Sequence, residues 1–259
     1  MKAINECTAV QLIRNATSKV SLGGTTFLID PMLGEKGSIP GFPETMNMSQ
    51  RNPLVDLPLP IEEILKCDAV ILTHTHDDHW DERAKRAVPK DHLIFVNNDA
   101  ELAQVKDAGF TNVRLLRNGE VFKGVTLYRA NGNHGTDEML QSHMGAFLGH
   151  PMGVIFEREG FETVYVVGDT VWIPEVSERI KTYRPGVIVL NAGNAMQPAW
   201  SGSIIMGGPD FIRAYRVAVH LDAVNHCVLH RPELRMMTQR LGMDPRRALI
   251  PADGEVLVF

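Results

Sequence analysis

The chain has 259 residues, a formal net charge of −5 at pH 7, 22% charged residues and 44% hydrophobic residues. This composition excludes intrinsic disorder, collagen and coiled coil, and a chain of this length buries enough surface to fold without disulfides or a structural metal. Three cysteines cannot form a disulfide framework and suit a reducing compartment such as the cytoplasm, while the slight acidity disfavours a non-specific nucleic-acid binder.

The first thirty residues predict three strands: Ala9–Ile13, Lys19–Leu22 and Thr25–Asp30. Gly23 and Gly24 separate the last two and indicate a two-residue hairpin, because primed turns need positive φ. From Pro31 to Pro60 six prolines interrupt the pattern. Since proline lacks an N–H and fixes φ, this stretch is expected to be irregular. A loop of this length either covers a functional site or is a surface excursion.

After this loop, short apolar runs alternate with helical patterns. We predict helices over Ile61–Lys66, Asp81–Val88, Asp99–Ala108, Trp172–Thr182, Pro209–Tyr215 and Pro232–Leu241. We predict strands over Ala69–Thr73, Leu93–Val96, Val113–Leu116, Val121–Phe122, Val125–Tyr128, Val154–Arg158, Thr163–Val167, Val187–Leu190 and Val217–Val219. Hairpins mixed with helical crossovers indicate a layered α/β or α+β structure. No repeat or linker is visible, so residues 1–259 are expected to form a single domain.

A dense group of histidines follows the predicted strand Ala69–Thr73. His74 and His76 lie two residues apart, so an extended backbone places both rings on one side. Asp78 and His79 follow where the chain turns towards a helix. Imidazole and carboxylate are ligands of zinc and similar divalent ions. A chance match to H-x-H-x-D-H has a probability of about one in a thousand, so the motif indicates a metal site.

This motif resembles the second of five motifs in the metallo-β-lactamase superfamily. The remaining motifs of that family have candidates in the expected order, namely Asp30, His134, Asp169 and His220. The resemblance covers nearly the whole chain. It implies an α+β fold, specifically a four-layer αβ/βα metallo-β-lactamase sandwich with the ligands at strand ends along one edge.

The resemblance also implies a ligand set for two divalent metal ions. The first ion would be bound by His74, His76 and His134, and the second by Asp78, His79 and His220, with Asp169 bridging both. Zinc is the preferred metal, with manganese or iron as alternatives. A metal pair about 3.5–4 Å apart holds a shared hydroxide, and zinc lowers the pKa of its bound water to about 7. A nucleophile would then exist at neutral pH.

Several assignments near this set remain open. His220 ends an apolar run and is preferred as the last ligand, but His226 is a rival and is otherwise expected to contact the substrate. We therefore predict Asp78, Asp169 and His226 as catalytic residues. Asp30 either orients a ligand imidazole or is a turn residue. Two asparagines could donate to a substrate carbonyl or cap turns, namely Asn191 and Asn225.

The function predicted from these motifs is hydrolysis of a small molecule: a lactone, ester, amide or phosphoester. The run Ile204–Gly208 is similar to the ascorbate-6-phosphate lactonase-like branch, which implies a small-molecule substrate and a homo-oligomer. A nucleic-acid-processing hydrolase is the main alternative, but the chain has no additional domain for it. A di-iron oxidoreductase is disfavoured because it would have glutamate at His76. We expect a cytoplasmic protein with no membrane or nucleic-acid partner, since no apolar run reaches the ~18–20 residues of a spanning helix.

Overall fold

The computed structural model of the protein describes residues 6–214 and 217–259. In chain order its elements are β1 Thr8–Arg14, β2 Thr17–Leu22, β3 Thr25–Ile29, α1 Ile61–Ile64, β4 Ala69–Ile71, α2 Glu82–Ala87, β5 Ile94–Val96, α3 Asp99–Asp107, β6 Val113–Leu115, β7 Glu120–Phe122, β8 Val125–Asn131, α4 Asp137–Gln141, α5 Gly145–Leu148, β9 Met152–Glu157, β10 Val164–Val166, α6 Pro174–Tyr183, β11 Val187–Asn191, α7 Gly208–Ala214, β12 Val217–Val219, α8 Arg231–Arg240 and β13 Val256–Val258.

The strands form two mixed sheets. One has seven strands in the order β13-β1-β2-β3-β4-β5-β6, and the other has six in the order β12-β11-β10-β9-β8-β7. In the first sheet β3, β4, β5 and β6 pair in parallel, and in the second β10, β11 and β12 do so. The remaining neighbours pair antiparallel, as hairpin connections allow. The mixed sheets with helices confirm the predicted α+β class.

The core is divided into three layers by the alternation of side chains along each strand. In β4, Ala69 and Ile71 face the core between the two sheets, while Val70 faces a second cluster. That second cluster joins the outer face of the first sheet to α1, α2 and α3. A third cluster joins the outer face of the second sheet to α6, α7 and α8. The resulting helix, sheet, sheet and helix layers confirm the predicted four-layer sandwich.

The parallel strands position the candidate ligands. Because parallel neighbours end at the same edge of a sheet, the residues that follow β3 and β4 lie side by side. The residues that follow β10, β11 and β12 meet at the corresponding edge of the second sheet. Asp30, His74, Asp169 and His220 all lie just beyond these strand ends. The sandwich therefore brings residues far apart in sequence to one edge.

The structure departs from the sequence-based boundaries in a few places. The predicted strand Ala69–Thr73 ends at Ile71, because the Thr73 N–H donates to the Asp30 carboxylate at 2.7 Å and not to a neighbouring strand. The helices α4 and α5 and the edge strand β13 were not predicted. The predicted helix end at Tyr215 lies outside the described residues.

The long proline-rich loop is irregular, as predicted. Among residues 31–60 the structure shows only an isolated bridge between Ile39 and Asn52, and the short helix α1 begins directly after this loop. The predicted hairpin at Gly23 and Gly24 is also confirmed, with φ of 55° and 83°. Within residues 6–214 and 217–259, no helix has the length and apolar character needed to cross a bilayer.

Candidate metal centre

The structure brings all seven predicted ligands together at the shared edge of the two sheets. Their ligand atoms form two adjoining clusters, in each of which the atoms lie within 4.8 Å of one another. The first cluster is His74, His76 and His134, and the second is Asp78, His79, Asp169 and His220. All are buried except His76, which is half-buried. The grouping matches the predicted division into two sites, with Asp169 in the second cluster.

The hydrogen bonds of His74 determine which of its nitrogens carries the proton. The Thr73 hydroxyl donates to Asp30 Oδ2 at 2.6 Å, so its oxygen accepts from His74 Nδ1–H at 3.1 Å. The Nε2 atom of His74 is therefore left with a bare lone pair. That atom lies 3.1 Å from Nδ1 of His76.

His76 and His134 have the same arrangement. Nε2 of His76 lies 2.8 Å from the Phe147 carbonyl oxygen, and Nδ1 of His134 lies 2.9 Å from the Ile204 carbonyl oxygen. Since a carbonyl only accepts, each of these nitrogens must carry the proton. The opposite nitrogens, Nδ1 of His76 and Nε2 of His134, are then unprotonated. Two lone pairs thus face each other at 3.1 Å between His74 and His76, an arrangement that only a cation between them would stabilise.

The second cluster combines imidazoles with carboxylates. His79 donates from Nδ1 to Asp30 Oδ2 at 2.9 Å, and its Nε2 lies 3.1 Å from Asp169 Oδ2. The His220 Nε2 atom is buried and has no hydrogen-bond partner among the described residues. It faces Asp78 Oδ2 at 3.4 Å and Asp169 Oδ2 at 3.7 Å. A buried polar atom without a partner is costly, so this nitrogen also fits a ligand.

Asp169 lies between the two clusters. Its Oδ2 atom is 3.1 Å from His79 Nε2 in the second cluster and 3.7 Å from His134 Nε2 in the first. Its other oxygen accepts a hydrogen bond from Asn191 Nδ2 at 2.5 Å. Asn191 therefore orients Asp169 with one of its two side-chain N–H groups. One carboxylate oxygen is thereby held within reach of both clusters.

The electrostatics differ between the clusters. In the first, burial lowers the pKa of His134 to about 4 and that of His74 well below its ordinary value. In the second cluster, burial acts to lower the pKa of His79, but the negative charges of Asp169 and Asp78 outweigh it and raise that pKa to about 10. The pKa of Asp169 is in turn well below its ordinary value, because His79 and His220 outweigh the effect of burial. The neutral imidazoles of the first cluster and the ionised carboxylates of the second are ligands that divalent cations bind.

Comparison with known proteins identifies the family. A family model described as a beta-lactamase superfamily domain matches residues 25–231. The chain belongs to the metallo-β-lactamase superfamily. The UPF0173 protein YddR of Bacillus subtilis is 42% identical over 255 residues, covering 95% of this chain and 98% of YddR. A UPF0173 metal-dependent hydrolase of Rubrobacter xylanophilus is 24% identical, covering 72% of this chain and 71% of the relative.

Two solved structures resemble this metallo-β-lactamase-fold chain over almost its full length. An isothiocyanate hydrolase from Delia radicum gut bacteria is 42% identical, with a TM-score of 0.93, and covers 97% of this chain and 99% of its own. A protein of Veillonella parvula, described as a possible metal-dependent hydrolase, is 40% identical, with a TM-score of 0.95, and covers 98% of this chain and 100% of its own. The chain is a metal-dependent hydrolase of the superfamily.

The structure also places the residues whose roles remained open. Asp30 accepts three hydrogen bonds, two from Thr73 and one from His79, so it orients ligands from outside both clusters. It has a left-handed φ of 46°, as a turn residue would. His226 is buried beside the second cluster, with Nε2 at 3.8 Å from Asp78 Oδ2 and Nδ1 without a partner among the described residues.

The side chain of Asn225 is fully hydrogen-bonded within the protein, so it has no N–H left for a substrate carbonyl. Its Oδ1 accepts from the Phe42 N–H at 3.2 Å and from Asn52 Nδ2 at 2.7 Å. Its Nδ2 donates to Thr45 Oγ1 at 2.9 Å and to the Met46 carbonyl at 2.8 Å. The whole amide group is used in holding the proline-rich loop beside His226. Asn225 thus fixes one wall of the metal centre.

Sequence reasoning missed several residues that hold the ligands from behind. These are Asn15, Thr73, Phe147 and Cys227. Cys227 Sγ lies 3.2 Å from His220 Nδ1, and the Phe147 ring stacks on His76 with centroids 4.6 Å apart. Thr73 could have been found because it directly precedes the motif. The other three carry no local signal, since each reaches its ligand only through the tertiary fold.

Proposed function

We propose that this protein hydrolyses a small organic electrophile with the help of two divalent metal ions. The observation that carries the proposal is the pair of adjoining clusters that share Asp169, with bare imidazole nitrogens of His74 and His76 facing each other at 3.1 Å. His74, His76 and His134 would hold one ion, and Asp78, His79 and His220 the other. When bound, such ions lower the pKa of water to about 7 and polarise the bond under attack.

The favoured substrate class is the isothiocyanates. A protein that is 42% identical over nearly the whole chain is described as an isothiocyanate hydrolase. Hydrolysis of R–N=C=S adds water across the central carbon and nitrogen, and the resulting thiocarbamate breaks down to an amine and carbonyl sulfide. The departing nitrogen must receive a proton during this reaction. The lactonase-like branch stays a prediction, to be compared in the same assay.

His226 is proposed to serve that proton transfer. Its ring packs edge-on against Phe42, with centroids 5.0 Å apart, and its Nδ1 atom has no partner among the described residues. The nitrogen beside Asp78 is the other one, Nε2, which lies 3.8 Å from Asp78 Oδ2 and would hold or pass the proton. Asp169, oriented by Asn191, would fix the reacting groups between the two clusters. Phe42 and Phe147 would exclude water from either side.

The finer assignments extend this proposal. Zinc is preferred as the resident ion because five of the seven ligands are imidazoles, with manganese and iron as alternatives. A single domain over residues 1–259, a homo-oligomeric state and a cytoplasmic location are proposed, the last because Cys67 and Cys227 are free thiols. We propose no nucleic-acid partner.

The test is a substrate comparison with zinc-loaded protein. Benzyl isothiocyanate, an acyl-homoserine lactone and a bis-aryl phosphodiester are followed under identical conditions. Turnover of the isothiocyanate at least tenfold faster than the others is expected. Phosphodiester cleavage as the main activity would contradict the proposal and favour the nucleic-acid-processing alternative.

A pair of histidine variants isolates the role of His226. His226→Ala should lower kcat by about 10²-fold or more, the usual contribution of a proton-transfer group, while metal content stays unchanged. His92→Ala serves as the control, because His92 lies in the turn before β5, with its Nε2 atom 3.4 Å from Cys67 Sγ and in neither ligand cluster. Equal activity of the two variants would exclude His226 from the reaction.

A further inference from the structure

The turn between β1 and β2 lies directly behind the second cluster of ligands. Asn15, in this turn, is completely buried and has a left-handed φ of 57°. None of its atoms belongs to either ligand cluster. Its side-chain Oδ1 atom is buried without a partner among the described residues, whereas its Nδ2 atom and its backbone carbonyl oxygen both form hydrogen bonds. The partners of Asn15 show what the turn does.

Asn15 joins two ligands of the second cluster. Its Nδ2 donates to the backbone carbonyl of Asp78 at 2.9 Å. Its own carbonyl oxygen accepts the backbone N–H of His220 at 2.9 Å. Asp78 follows β4 of the first sheet and His220 follows β12 of the second, so the two are far apart in sequence. One residue thus fixes the backbone of both at the same time.

The backbone of His220 needs such support. Its φ of 60° is left-handed, a conformation that residues other than glycine and asparagine seldom adopt and that persists only where the surroundings impose it. On the other side, Gly193 allows a close approach, since a Cβ there would lie 2.2 Å from the His220 carbonyl oxygen. The N–H bond to Asn15 and this tight contact together hold His220 in place.

The same turn also supports Asp30. The Thr17 hydroxyl donates to the Asp30 carbonyl at 2.7 Å and accepts the Met32 N–H at 2.9 Å. Asp30 in turn accepts a hydrogen bond from His79 and orients it. Through Asp30, this segment therefore supports a third residue of the second cluster. Within residues 6–214 and 217–259, the side chain and carbonyl oxygen of Asn15 bond to Asp78, His220 and Met32, none of which belongs to the first cluster.

We propose that Asn15 is a positioning residue for the second metal ion, setting the distance between Asp78 and His220. The inference rests on the proposed two-ion function. Residues that orient metal ligands from outside typically change metal affinity by about 10–100-fold when they are altered. Loss of the Asn15 amide should therefore lower the affinity for the second ion by that factor and leave the affinity for the first unchanged.

The test uses two variants that separate the amide from the backbone. Asn15→Gly removes the side chain and keeps the left-handed φ without strain. Asn15→Asp keeps the size but places a carboxylate oxygen against the Asp78 carbonyl in place of a donor. Arg184→Gly is the matched control, because Arg184 also has a left-handed φ, 44°, at the far end of β11 from the ligands.

The measurement is zinc affinity by competition with a chromophoric chelator, with His220→Ala and His134→Ala as references for loss of each ion. We expect two tight ions in the wild type and in Arg184→Gly. In both Asn15 variants the affinity for one zinc ion should fall at least tenfold, and it should be the same ion that His220→Ala loses. Wild-type affinity for both ions in Asn15→Asp, or equal loss of both ions, would overturn the inference. A single ion in the wild type would instead contradict the two-ion function.

Discussion

Replacement of Asp30 by asparagine should destabilise the protein strongly, although the residue is not a predicted ligand. The buried carboxylate accepts hydrogen bonds from the Thr73 N–H, the Thr73 hydroxyl and His79 Nδ1, at 2.7, 2.6 and 2.9 Å. Asparagine tolerates the left-handed φ at this position, so Asp30→Asn changes the charge and the acceptors without adding backbone strain.

The expected magnitude follows from those three bonds. An amide presents one acceptor oxygen and one NH₂ group, so at least one of the donors of Thr73 or His79 would face another donor. Hydrogen bonds to a charged group contribute about 1.5–3 kcal/mol each, and an unpaired buried donor costs about 1–3 kcal/mol. We expect Asp30→Asn to lower the free energy of unfolding by about 3–5 kcal/mol, out of about 5–15 kcal/mol for a typical protein.

The assay is urea unfolding of the metal-free protein, followed by circular dichroism. Asp107→Asn, at an exposed position at the end of α3, is the matched control and should change the free energy of unfolding by less than about 0.5 kcal/mol. The zinc affinity of the first cluster should fall as well, because Asp30 fixes the Thr73 hydroxyl that holds His74. An Asp30→Asn variant as stable as the control would refute this reasoning.

Two further predictions concern residues beside the centre. Asn225→Ala removes four side-chain hydrogen bonds to the proline-rich loop. We expect the free energy of unfolding to fall by about 2–4 kcal/mol and proteolysis between residues 42 and 52 to become faster. An unchanged cleavage pattern would count against the loop being held by Asn225. Burial raises the pKa of Glu101 to about 7, so the folded state binds its proton more tightly than the unfolded state. The free energy of unfolding of the metal-free protein should then fall by about 1–3 kcal/mol as pH rises from about 4.5 to 7. Glu101→Gln should remove this pH dependence, measured by urea unfolding at several pH values. An identical pH dependence in the variant would show that another group is responsible.

The sequence predicts best what is encoded locally. His74, His76, Asp78 and His79 lie within six residues, so their spacing alone indicates a common site. The apolar runs of the central strands were recognised for the same reason, because buried strands are continuous in Val and Ile. In contrast α5 is only four residues long and begins at Gly145, so its pattern is too short to indicate a helix.

Contacts between distant segments were not predictable. Asn15 and Phe147 reach their ligands from distant segments, and nothing in the residues around them indicates those partners. Cys227 lies nearer in sequence, but only the fold of the segment after β12 brings its thiol to His220. The strand β13 was missed because Val256 and Val258 are exposed at the edge of the sheet and only Leu257 packs on the core. The positions of His220 and His226 also depend on the fold, which places His220 in the second cluster and His226 beside it.

The central claim is that the two clusters hold two divalent ions, and metal content tests it most directly. Elemental analysis of protein purified without added metal, and then of protein saturated with zinc and desalted, should give two ions per chain for the wild type. His134→Ala and His220→Ala should each retain one, since each removes a ligand from a different cluster. One ion or fewer per wild-type chain after saturation, or two ions retained in both variants, would contradict the account.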